Sequence, residues 1–190
     1  MTLQCEPKNF ITYQGKRYNF FPYFNRVLTI LSEVLPSTLL LDVEKIDITV
    51  RSLSDAPPCM DVFELILLEL FPRDEKHDGK KTMDFEQDAG LIYAGFRQAY
   101  GIDLFEERNK MDWRIFVQLV RGLPEGTEFS RVVKIRCTDV PMRTKNNGDY
   151  VDSLMKAKRA VELDEPEEDK KKRFAQQWIQ IAEGLMNVRR

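Results

Sequence analysis

Histidine occurs once in this chain and cysteine three times, so the residue types on which most nucleophilic and metal-assisted chemistry relies are scarce. The one histidine, His77, stands in the polar stretch Asp74 to Lys80, with no partner to orient it as a ligand. Cys5, Cys59 and Cys137 lie far apart, are odd in number and form no C-x-x-C, which reads as reduced, unpaired thiols. None of them has a histidine beside it in sequence, as an activated thiol would need in space. The acidic pairs Glu106-Glu107 and Glu167-Glu168 are adjacent. On a helix neighbours point about 100° apart, so neither pair converges as an acid and base would. Gly79 to Thr82, "GKKT", lacks the upstream glycine and preceding strand of a phosphate loop. No catalytic residue, metal ligand or cofactor site is therefore expected, and the chain reads as a non-enzyme.

Other absences narrow the class further. There is no run of about 18 apolar residues, so no membrane span is expected. The start, "MTLQCEPKNF", has neither the basic flank nor the apolar core of a signal peptide, which places the chain in the cytosol. Lys+Arg at 29 against Asp+Glu at 31 leaves a net charge of −2, too even for a global nucleic-acid footprint. No internal repeat or long low-complexity tract is visible. A content of 43% hydrophobic and 32% charged residues is that of a soluble globular protein.

What is present is mostly helical periodicity. "FITYQGKRYNF" is the exception: Ile11, Tyr13, Tyr18 and Phe20 alternate with polar residues around Gly15, predicting a hairpin over about 10–21. Phe24, Val27, Leu28, Leu31 and Leu35 then fall at spacings of three and four, a helix ended by Pro36. Residues 41–58 fit either a helix capped by Asp42 or a strand through Ile46, Ile48 and Val50, and helix is favoured. "MDVFELILLELF" is apolar almost all round, which predicts a buried helix. Arg73 to Thr82 reads as an exposed loop. Asp84 with Gln87 forms a capping-box signature for a helix carrying Ile92, Phe96, Ala99 and Tyr100, with Gly101 closing it. Ala94 and Gly95 leave one face of that helix flat, open to close packing.

The stretch "MDWRIFVQLVRGLPEGT" is expected to form a helix from Asp112 as N-cap to Gly122 and Pro124. Trp113, Phe116, Val117 and Val120 have core spacing, and Ile115 and Leu119 add a second apolar face. A short helix through Phe129, Val132, Val133 and Ile135 and another through Val151, Leu154, Ala157, Ala160 and Val161 follow. A charged boundary, "DEPEEDKKK", leads to a last amphipathic stripe of Phe174, Trp178, Ile181 and Leu185. The fold class is thus mainly α, a compact helical domain over 1–163 with a small N-terminal β-hairpin. A charged boundary and a C-terminal amphipathic helix occupy 164–190. The basic clusters at 155–159 and 170–173, and a turn at Gly101 between two helices, admit a DNA-binding reading. The second of those helices offers only Arg114, Gln118 and Arg121 to base edges, which weighs against it.

"DAGLIYAGFRQAYGIDLFEE" followed by "MDWRIFVQLVRGLPEGTEFSRVVKIR" resembles the gene-product-fifteen family of phages and prophages of Gram-positive hosts. The pattern runs through Ile92, Tyr93, Ala94 and Phe96, then Tyr100 to Leu104, Trp113 to Phe116, Gly122 to Pro124, Phe129, Ile135 and Arg136. The opening, with Phe24, Arg26 and Val27, is similar too, so the resemblance covers about residues 10–163. It makes Ile92, Tyr93, Phe96, Tyr100, Trp113, Phe116 and Pro124 the core of the family motif. It implies a helical, non-enzymatic tail assembly chaperone that binds the tape-measure protein, recruits tail-tube subunits and is absent from the finished particle. A structural tail or connector component is the alternative. A chaperone of that kind needs apolar stripes to cover amphipathic client helices. The stripe Phe174, Trp178, Ile181 and Leu185 is the sequence's candidate for that contact or for self-association into a homo-oligomer.

Overall fold

The computed structural model describes residues 7–71 and 82–163. Among these residues the regular structure is seven α-helices, one π-helical turn and one antiparallel hairpin. They fall into two compact units, 7–71 with 107–118, and 82–106 with 119–163. The division lies within one helix, between Gln118 and Leu119.

In the first unit β1 (Phe10–Tyr13) pairs with β2 (Lys16–Asn19), Tyr13 opposite Lys16 and Phe10 opposite Asn19. Gln14 and Gly15 both take positive φ, 49° and 75°, the two-residue turn whose twist matches the strands. The hairpin delivers Phe20 into the core, where it is buried, as is Ile11. Its exit is fastened to the residues that follow the helix Asp42–Leu53. The Asn19 N–H and side-chain amide each donate to Asp55 at 2.7 Å, and the Ser54 hydroxyl donates to the Asn19 carbonyl at 2.9 Å.

Helix α1 (Phe24–Thr29) runs directly into a π-helical turn, Ile30–Val34, in which the Leu35 N–H reaches back five residues to the Ile30 carbonyl at 2.9 Å. The apolar spacing foretold the helix, whereas the widened turn had no sequence signature. The ambiguous segment is helical: α2 (Asp42–Leu53) buries Ile46, Val50 and Leu53. Asp42 is its first helical residue and not its cap. Leu41 holds the cap position, and the Glu44 carboxylate accepts from the Leu41 N–H at 2.8 Å, half of a capping box. Helix α3 (Met60–Leu70) buries Val62, Phe63, Ile66 and Leu70, but Leu68 is exposed, as is Phe71 just beyond it. The expectation of burial all round therefore fails at Leu68, the exposed apolar residue of the helix.

Residues 107–118 complete this unit. The Trp113 N–H donates to the Pro22 carbonyl at 2.6 Å and the Phe24 N–H to the Met111 carbonyl at 3.1 Å, an antiparallel bridge that brings Tyr23 opposite Asp112. Asn109 takes a left-handed φ of 56°, tolerable for asparagine. Its side-chain oxygen accepts from Arg26 Nε at 2.9 Å, while its N–H donates to Asn25 Oδ1 at 2.9 Å.

In the second unit α4 (Ala89–Tyr100) packs on α6 (Glu128–Cys137), and α6 on α7 (Gly148–Ala160). Helix α4 starts later than the capping box suggests. Asp84 Oδ1 accepts from the Glu86 and Gln87 N–H groups at 2.7 and 2.8 Å, but this closes a turn that precedes the helix. Asp88 is the residue at the cap, and its carboxylate is drawn away from the helix by a partner described below. Gly101, at φ 68°, ends α4 as expected. The flat face at Gly95 receives a side chain and not a helix: a Cβ there would lie 3.1 Å from Leu123 Cδ1. Helix α6 is capped by Thr127, whose hydroxyl accepts from the Ser130 N–H at 3.3 Å. The chain from Thr138 to Thr144 has no regular structure. Most of the expected loop 73–82 and the C-terminal helix lie outside the described residues.

Candidate interaction surface

Helix α5 (Trp113–Arg121) begins with Asp112, whose Oδ1 accepts from the Arg114 N–H at 2.7 Å, a cap that the sequence made legible. Trp113 and Phe116 are buried in the first unit. The Phe116 ring stacks on Phe24 at 4.8 Å between centroids and lies 5.8 Å from Trp113, and Phe71 meets Trp113 edge-on at 6.0 Å. Arg114, one of the side chains a DNA-reading helix would present, is only 16% exposed and engaged internally. It donates to Asp112 Oδ2 at 2.6 Å and to the Lys8 carbonyl at 3.0 Å, and sits 5.7 Å from the centre of the Phe20 ring.

The remaining motif residues are structural parts of the second unit. Ile92 and Phe96 are buried, and Phe96 meets Tyr100 edge-on at 5.5 Å. The Tyr100 hydroxyl donates to the Leu119 carbonyl at 2.9 Å, and the Tyr93 hydroxyl to Asp103 Oδ2 at 3.2 Å. Desolvation, followed by the negative charge of Asp103, raises the Tyr93 pKa above its ordinary value. Pro124 is exposed and its carbonyl accepts from the Thr127 N–H and hydroxyl at 3.0 and 2.8 Å, which sets the turn before α6. The motif is thus a packing signature.

Arg136, the last motif residue, holds the strongest polar arrangement. Its guanidinium grips Asp88 through two bonds, Nη1 to Oδ2 at 2.6 Å and Nη2 to Oδ1 at 2.9 Å. Nε donates to the Val161 carbonyl at 2.6 Å and Nη1 to that of Thr82 at 3.2 Å. The side chains are 2% exposed for Asp88 and 11% for Arg136, so this is a buried pair, with four hydrogen bonds donated by the guanidinium. Sequence reasoning missed Asp88, because a contact across 48 positions leaves no local signal.

Among the described residues no cluster of three His, Cys, Asp or Glu side chains converges to hold a metal ion, and no helix is long and apolar enough to cross a membrane. What the first unit does present is apolar surface on the way into α2. Leu39, Leu41 and Val43 are 93%, 71% and 76% exposed. Three large apolar side chains are thus shown to solvent within five residues. The consecutive leucines 39–41 were their only signal in the sequence. The stripe Phe174, Trp178, Ile181 and Leu185 lies outside the described residues.

A search of the curated proteins finds no match, nor does a search of the solved structures. A family model, Bacteriophage Gp15 protein, matches residues 8–163, which takes in every described element from the hairpin to α7. The chain belongs to the Bacteriophage Gp15 protein family.

Proposed function

We propose that this phage protein is a non-enzymatic tail assembly chaperone that binds the tape-measure protein and promotes tail-tube assembly. The observation that carries the reading is the family assignment over residues 8–163, together with the tail-gene setting that the resemblance implies. The exposed Leu39, Leu41 and Val43 support it, since a chaperone of long amphipathic helices needs uncovered apolar side chains of its own. In this reading the protein works in the host cytoplasm, recruits tail-tube subunits and leaves before the virion is complete.

Mass spectrometry of purified virions separates this from a structural tail or connector role. A chaperone is absent or present in trace, whereas a stoichiometric band would make the protein a structural subunit.

A further inference from the structure

Of the residues of α7, Val151 alone is buried, and Lys158 on the same side of the helix donates to the Arg136 carbonyl of α6 at 2.7 Å. These two side chains mark the face that α7 turns to its unit. About 100° round the helix lies a second face, formed by Tyr150, Ser153 and Ala157 at spacings of three and four. Tyr150 is 56% exposed, Ser153 is exposed and Ala157 is half-buried. A large amphipathic ring beside two short side chains suits the close approach of another helix.

Charge says which helix. Asp149 and Lys156 stand seven residues, or two turns, apart along one edge of that face, and both are exposed. Asp152, the other acid of α7, is held by Arg143 at 2.8 Å. We infer that this face is a self-association surface, which takes α7 of a second copy of the chain in antiparallel orientation. An acid and a base on one edge complement themselves when the order of the helix is reversed. A two-fold axis passing near Ser153 sets Asp149 of each copy against Lys156 of the other. In the same register each Tyr150 falls between Ser153 and Ala157 of the other copy, where there is room for the ring. A parallel pair forfeits the match, because Asp149 then lies along the edge that carries Leu154. The surface belongs to the second unit and uses none of Leu39, Leu41 and Val43, so the inference does not depend on the function proposed above.

The test is sedimentation equilibrium of the full chain, of Asp149→Lys and of Lys156→Asp. Wild type should pass from the mass of one chain toward that of two between micromolar and millimolar concentration, the range open to a small interface. Each substitution sets like charges face to face and should weaken association about tenfold or more. Both positions are exposed, so circular dichroism should not change. Mixed one to one, the two variants should associate again, because every edge contact then joins opposite charges. Half-molar salt should weaken the wild-type pair, as screening reduces the edge attraction. Wild type that stays monomeric up to millimolar concentration would overturn the inference. So would a dimer that neither substitution weakens, or folded variants that remain apart when mixed.

Discussion

Arg136 clasps Asp88 with two parallel hydrogen bonds of 2.6 and 2.9 Å, joining the last turn of α6 to the residue that opens α4. The same guanidinium reaches the carbonyls of Thr82 and Val161, so one side chain ties both ends of the second unit's described chain. Lys158 adds a bond from α7 to the Arg136 carbonyl at 2.7 Å.

Removing either partner leaves a buried charge unmatched. Asp88→Ala and Arg136→Ala should each cost about 3–5 kcal/mol of stability, measured by urea denaturation. Arg136→Lys should recover only part of that, because an ammonium cannot make the two-pronged contact. A loss under about 1 kcal/mol in both alanine variants would mean that the pair holds little of the unit together.

The two ends of α4 predict opposite effects for one substitution. At Gly90, in the exposed first turn with open space around it, Gly90→Ala should stabilise by about 0.5 kcal/mol. At Gly101, where φ is 68°, Gly101→Ala should destabilise by about 1–2 kcal/mol, since a Cβ clashes in the left-handed conformation. Thermal unfolding of the two variants side by side checks the sign of each.

Gly95 tests the close packing of Leu123. A Cβ is already 3.1 and 3.2 Å from the two Leu123 methyl carbons, so Gly95→Val should cost about 1–3 kcal/mol through overpacking. Leu123→Ala in the same chain should recover part of the loss. Failure of the second change to help would place the strain elsewhere.

The pH dependence follows from Tyr93. Burial and the Asp103 carboxylate keep its hydroxyl protonated above the ordinary tyrosine range, so its contribution to stability is complete below about pH 10 and disappears as pH rises through the higher folded-state value. Ultraviolet titration of wild type against Tyr93→Phe should show one tyrosine ionising late. A Tyr93 that titrates with free tyrosine would contradict the contact with Asp103.

How much of this was legible in the sequence depended on the range of the interaction. The Gln14-Gly15 turn, the Asp112 cap and the Gly101 stop are decided by neighbours in the chain, and the sequence showed them. The stripe Ile92 and Phe96, like the pair Trp113 and Phe116, was readable as core from spacing alone. Asp84 misled because its side chain does cap backbone N–H groups, but those of a turn; the helix waits for Asp88, which Arg136 positions from 48 residues away. Leu41, Val43 and Leu68 show the other limit. Periodicity says which residues share a face, not whether anything covers that face.

The function rests most directly on solubility of the client. The tape-measure protein from the same phage, expressed alone and together with this chain, should move from the insoluble to the soluble fraction only in the second case, and the two should purify together through a tag on either. Leu39→Asp, Leu41→Asp and Val43→Asp combined should weaken that rescue if the exposed segment takes part in it. An unchanged insoluble tape-measure protein with no co-purification would contradict the chaperone reading.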